Sequence, residues 1–195
     1  MEERLQYVKD LGFDVVFLSP IHPIGHTKRK GRNGSLEAGP DDPGSPYAIG
    51  DETGGHKSIN RELGTLEDFR RFVKKAGRMG MEVALDIALQ TSPDHPYVKE
   101  HPSWFNYRPD GTIRCAENPP KIYEDVYPLN FYPKSDKDRK ELWNEMKDIF
   151  VYWIKQGVNA FRVDNPHTKP IEFWEWAITA IKKEYPGTVF LAEAF

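Results

Sequence analysis

Four times along the chain, a helix-periodic stretch gives way through a glycine to a short, unbroken apolar run. The runs read LGFDVVFLSP (11–20), MGMEVALDIA (79–88), QGVNAFRVDN (156–165) and PGTVFLAEAF (186–195). Runs of this length that are apolar rather than alternating predict strands buried on both faces, as in parallel sheets. The stretches before them predict helices. Residues 2–11 place Leu5, Val8 and Leu11 on one face, and Thr65 with Asp68 forms a capping box ahead of Phe69, Phe72, Val73, Ala76 and Met79. Ser135 with Asp138 repeats that start signal before Leu142, Met146, Ile149, Phe150, Trp153 and Ile154. Pro170 opens a fourth helix carrying Phe173, Ala177, Ile178 and Ile181, which Pro186 and Gly187 close. Helix and strand alternating four times predict an α/β chain built on a parallel sheet with right-handed crossovers.

Two connections are far longer than the rest, roughly residues 20–64 and 89–134, and both follow the C-terminal end of a predicted strand. Loops that long in a compact domain are usually functional or disordered. In α/β folds that end of the sheet is where ligands bind. Three of the four strands also deliver an acid there: Asp86, Asp164 and Glu193. One such acid is ordinarily a cap or a surface charge; three at equivalent places suggest chemistry. In FRVDNPHTKP (161–170), Arg162 and Asp164 share one strand face while Phe161 and Val163 take the other. Neighbouring strands lie about 4.8 Å apart. If the last two strands are neighbours, that spacing brings Asp164 and Glu193 within range of the roughly 5 to 5.5 Å that a retaining glycosidase pair requires. Arg162 is expected to hold Asp164 ionised, as a nucleophile needs, and the apolar neighbours Leu191, Ala192, Ala194 and Phe195 to keep Glu193 protonated, as an acid needs.

Composition narrows the classes. The 195 residues are 38% hydrophobic and carry a formal net charge of -3 with both signs interspersed, which favours neither nucleic acid nor an anionic membrane as partner. Cys115 is the only cysteine, so no internal disulfide is possible. MEERLQYVKD lacks the apolar core of a signal peptide and no run is long enough to cross a bilayer, making a cytoplasmic location the expectation. No GxGxxG or Walker pattern occurs.

FRVD at one strand end and LAE at the next resemble signature regions of the α-amylase superfamily of glycoside hydrolases and transglycosylases. The stretches LSPIHPIG, GPDDPGSPYAIG, GGHKSI, LDIALQTSPDHP, ENPPKIYEDVYPLNF and FRVDNPHTKP resemble its α-1,4-glucan:maltose-1-phosphate maltosyltransferase branch and cover nearly the whole chain. The resemblance implies a partial TIM (β/α)8 barrel containing about strands 2 to 5 with long βα loops, so that residues 1–195 form a fragment of a single catalytic barrel domain. Such barrels run to about 250 residues. Strands 1, 6, 7 and 8 and a third carboxylate are then missing, and two open sheet edges prone to pairing are expected. The implied reaction passes maltosyl units from α-maltose 1-phosphate to an α-1,4-glucan and releases phosphate. Asp164 would be nucleophile, Glu193 acid and base, and Arg162 the residue orienting Asp164. Asn118, Lys121, Tyr123 and Asn165 match positions that hold the phosphate, while Asp86, Gln90, His167 and Tyr47 are candidate substrate contacts. No metal and no organic cofactor is implied, and the full-length enzyme would be a homodimer.

Some positions depart from the pattern. Gln90 and Thr91 stand where broad amylases carry Asn-His, which argues against amylase-type calcium; a cysteine is expected at Thr91 and tryptophan at Tyr47. The basic run HTKRKGRN (26–33) reads as a solvated loop and Trp174 as packing in the barrel wall, the alternative being that Trp174 and Trp176 form a surface carbohydrate platform. His22 and His26 share a metal-like spacing that Pro20 and Pro23 make unfavourable for a helix. His56 and His95 are, with His167, candidates for sugar hydroxyls, although His95 and His101 also suit loop packing. Rival readings are a hydrolase of the same superfamily and a noncatalytic half-barrel that binds glucan or a partner chain.

Overall fold

The computed structural model describes residues 2–193. A 3-10 turn runs into α1 (Leu5–Asp10), and then come β1 (Val15–Leu18), α2 (Leu66–Arg78), β2 (Glu82–Ile87), β3 (Gln90–Thr91) and α3 (Pro96–Glu100). The second half holds β4 (Ala116–Asn118), β5 (Lys121–Tyr123), β6 (Tyr127–Pro128), α4 (Asp136–Lys155), β7 (Ala160–Val163), α5 (Ile171–Glu184) and β8 (Val189–Ala192). The four apolar runs become β1, β2, β7 and β8, which pair in that order and all in parallel. The register sets Leu18 opposite Leu85, Asp86 opposite Arg162 and Val163 opposite Ala192.

Local chemistry explains the helix ends. Thr65 and Asp68 complete both halves of the capping box, whereas Ser135 accepts from the Asp138 N–H without the reciprocal bond. Gly80 and Gly157 follow α2 and α4 with φ of 69° and 97°, a left-handed turn that glycine makes without steric cost. One expectation fails at α1: the helix ends at Asp10, so Leu11 leaves the buried face and stands exposed.

The alternation of β7 divides the molecule. Phe161 and Val163 are buried with Leu85 and Ile87 against Phe150, Trp153 and Phe173 of the helical layer, with the Phe150 and Phe161 rings 5.2 Å apart and perpendicular. Ala84, Asp86, Arg162 and Asp164 occupy the alternate positions, which point to the opposite face. Trp174 is half-buried with its indole N–H on the Pro166 carbonyl at 2.9 Å, while Trp176 remains partly exposed.

Neither long connection is structureless. Within the second, β3 pairs antiparallel with β6, and β4 with β5. The first is tied to the second by Ser92 N–H on the Ile49 carbonyl (2.7 Å) and by Asp94, whose carboxylate accepts from the backbones of His26 and Thr27 (2.6 and 2.7 Å). No helix among the described residues is long and apolar enough to cross a membrane.

Candidate functional site

The strand register places Asp86 beside Arg162 on one face, and Asp164 follows two residues later on that same face. Arg162 bridges all three strand-end acids. Its Nη1 donates to Asp86 Oδ1 and Oδ2 at 3.0 and 2.8 Å and to Asp164 Oδ1 at 3.0 Å, while Nη2 pairs with Glu193 Oε1. A planar guanidinium offers several donors in a fixed fork, which lysine lacks. Asn165 closes the group from the other side. Its N–H donates to Glu193 Oε2 and its Nδ2 to Asp164 Oδ2, both at 3.0 Å. Asn165 has φ 43° and ψ 51°, a left-handed conformation that asparagine tolerates better than most side chains, and the turn aims both donors at the two carboxylates. Tyr47 donates its hydroxyl to Asp86 Oδ2 (3.0 Å), and Gln90 Nε2 donates to the Tyr47 carbonyl (3.3 Å). Asp164 and Glu193 thus meet on one arginine and one asparagine.

Their proton affinities run opposite to the sequence expectation. Burial pushes the Asp164 carboxyl up, the Asn165 amide offsets part of this, and the Glu193 charge adds to it more than Arg162 removes. Glu193 is drawn down, first by the Asn165 N–H and against a smaller cost of burial, with Arg162 assisting. Leu191, one of the apolar neighbours invoked around Glu193, is itself exposed, and Ala194 and Phe195 lie outside the described residues. Burial also raises Asp86, against its bonds to Arg162 and Tyr47. Three carboxylates face Arg162 and one further cation that sequence reasoning passed over, Lys169. Its side chain is buried, its Nζ lies 3.3 Å from the Asn165 carbonyl, and burial pulls it down to about 8 against the attraction of Asp164 and Glu193. The signal was present in FRVDNPHTKP, five residues beyond Asp164, but nothing in the sequence says that a loop lysine folds under the acids.

The other candidates scatter. Asn118 and Lys121 face one another across the β4–β5 hairpin and are exposed, and Tyr123 meets the loop 26–33: Lys30 Nζ is 6.0 Å from its ring centroid and 3.4 Å from the Ile122 carbonyl. No hydrogen bond among the described residues joins Asn118, Lys121 or Tyr123 to Asn165, the other member of the expected four-residue group. Its three hairpin members ride on a loop, whereas Asn165 is held by the sheet. Tyr47 engages Asp86 through its hydroxyl, and His167 lies exposed in the turn after Asn165. His56 and His95 are buried and bond to each other (3.2 Å), which removes them from reach of a sugar. His22 is buried on the Ser58 carbonyl and His26 is exposed, so the two form no metal pair. A ring nitrogen of His26 does lie within 4.8 Å of carboxylate oxygens of Asp51 and Glu52, but Arg29 Nη1 stands 3.4 Å from His26 Nδ1, a poor neighbour for a cation.

A family model described as the alpha-amylase catalytic domain matches residues 1–174. The chain is 59% identical over 193 residues to the alpha-1,4-glucan:maltose-1-phosphate maltosyltransferase of Picrophilus torridus, covering 99% of this chain and 30% of that protein. It is 61% identical over 194 residues to the protein of the same name from Methylacidiphilum infernorum, covering 100% and 29%. The chain therefore spans about three-tenths of the length of these relatives. Among solved structures it resembles an alpha-amylase from Lactobacillus plantarum, with a TM-score of 0.81 and 36% identity over 99% of this chain and 40% of that one. A maltogenic alpha-amylase from Thermotoga neapolitana gives a TM-score of 0.78 and 30% identity, again over 99% and 40%.

Proposed function

The chain belongs to the alpha-amylase catalytic-domain family, and from that premise we propose that it supplies strands 2 to 5 and the acid pair of a retaining α-1,4-glucan:maltose-1-phosphate maltosyltransferase. The observation that carries this reading is the convergence of Asp86, Asp164 and Glu193 on Arg162 at the C-terminal ends of adjacent parallel strands. Residues 1–195 are then one piece of a single barrel domain.

Asp164 attacks the anomeric carbon of the maltosyl donor as the bond to the phosphate oxygen breaks, giving a glycosyl ester on Asp164 and free phosphate. Glu193 protonates the departing oxygen, then accepts the proton of an incoming glucan hydroxyl as that oxygen displaces Asp164. The free site holds its affinities the other way round, with Asp164 raised and Glu193 lowered. An anionic phosphate arriving beside Glu193 raises its proton affinity, because a nearby negative charge favours the protonated carboxyl. Donor binding thus favours the acid form of Glu193 that the first step needs. Asp86 and Arg162 steer Asp164. Asn118, Lys121 and Tyr123 of the β4–β5 hairpin hold the phosphate together with Asn165, with Lys121 as its point charge.

Incubating the complete enzyme that contains this chain with α-maltose 1-phosphate and glycogen should release phosphate in step with chain elongation. Free maltose without elongation would make it a hydrolase, the reading favoured by the likeness to two alpha-amylases. Lys121→Ala should impair the phosphate donor far more than a maltosyl fluoride. Equal losses with both would remove Lys121 from the phosphate role.

A further inference from the structure

Behind the candidate site lies a chain of hydrogen bonds with only one possible direction. The Tyr97 N–H donates to His95 Nδ1 at 3.1 Å, so a neutral His95 must carry its proton on Nε2. That Nε2 faces His56 Nδ1 at 3.2 Å and donates to it, which leaves the His56 proton on Nε2, where it donates to the Ala88 carbonyl at 2.9 Å. Both rings are buried, and burial holds both neutral, drawing His56 down to about 4 and His95 to about 2. The order of donors and acceptors is therefore fixed from α3 to the exit of β2.

The backbone is shaped to receive the ring. A Cβ on Gly50, which sits at φ 100°, would strike the His95 ring, and so would one on Gly55. Both glycines lie in the first long loop with Tyr47. His95 lies in the second, and Ala88 sits between Asp86 and Gln90. Ser92 adds a bond of 2.5 Å to the Gly50 carbonyl, and the Trp153 indole donates to the His56 carbonyl at 2.8 Å.

We propose that His95, acting through His56, is a positioning residue that locks the Ala88 carbonyl and so holds Asp86 and Gln90 in register with Tyr47 and Arg162. This rests on the reading of the acid cluster as the reactive centre. Two roles can be separated within the one ring. In His95→Asn the amide oxygen still caps α3 through the Tyr97 N–H but cannot reach His56. In His95→Gln the longer amide reaches His56 Nδ1 as a donor and gives up the cap.

The test compares these variants in the complete enzyme that contains this chain, by 13C and 15N NMR of the Ala88 carbonyl and the Arg162 guanidinium, and by the rate at which a 2-fluoro maltosyl fluoride labels Asp164. His95→Asn should shift both resonances and slow labelling about tenfold with donor affinity unchanged, whereas His95→Gln should restore both towards wild type despite a lower melting temperature. Resonances that do not respond to His95→Asn, or losses that simply follow melting temperature across both variants, would overturn the proposal. Resonances that respond as stated in a wild-type protein that is never labelled would sustain the link from His95 to Ala88 and overturn instead the reading of the acid cluster.

Discussion

Three residues decide the electrostatics of the acid cluster, and each can be tested alone. Arg162 holds Asp86, Asp164 and Glu193 together. Removing it as Arg162→Gln leaves like charges face to face, and on the proposed reading glycosyl transfer by the complete enzyme should fall by about 10²- to 10³-fold, the scale seen when a preorganised donor is lost. Retention of more than half the activity would show that the arginine is dispensable. Asn165 tolerates a left-handed backbone while its side chain reaches Asp164. Asn165→Ala should lower stability by about 1–2 kcal/mol in urea melts, from backbone strain and the lost bond. Lys169, held at about 8, discharges as the pH rises through that value, leaving the three acids with Arg162 alone. Labelling of Asp164 should therefore weaken above about pH 8, and Lys169→Gln should be weak at all pH values with that transition gone. A pH profile identical in wild type and variant would dismiss Lys169. Of this trio strand alternation pointed to Arg162 alone; Asn165 came from the family resemblance, as a phosphate contact rather than the bridge between two acids that it forms, and Lys169 depends on how a loop folds back.

At the scale of elements, sequence reasoning worked where the cause is local. The capping box of α2 needs only Thr65 and Asp68, and both of its halves form. Thr65→Ala should cost about 1 kcal/mol in chemical denaturation. The histidines show the opposite case. His22, His56 and His95 come from two loops far apart in the chain and pack beside Trp153 and Tyr97. Nothing local distinguishes a buried histidine from one that waits for a sugar. Burial draws them down to about 3, 4 and 2. The folded state thus binds fewer protons than the unfolded state below the ordinary histidine value near 6.5, so stability is full above about pH 6.5 and declines as pH falls towards 4. Thermal melts should drop steadily between pH 7 and 4.5, and His22→Leu should flatten that slope. Parallel slopes would mean that His22 contributes nothing to acid sensitivity.

For the whole molecule, the sheet order leaves β1 and β8 as edges, and apolar side chains stand exposed on both: Val15 and Phe17 on one, Val189 and Leu191 on the other. Unpaired apolar edges invite pairing between copies. In light scattering the 195-residue chain should associate as its concentration rises, and Phe17→Lys with Leu191→Lys should reduce that association. A monodisperse monomer at high concentration would contradict this. What the sequence determined by itself was whatever rests on neighbours within a few residues: the alternation of helix and strand, the caps, and the faces to which Arg162 and Asp164 point, since backbone periodicity follows from local sterics and burial. Tertiary structure alone decided the direction in which each acid's proton affinity shifts and the burial of the histidines and Lys169. Those depend on which groups distant in the chain come within a few ångströms of one another and on how much water they displace.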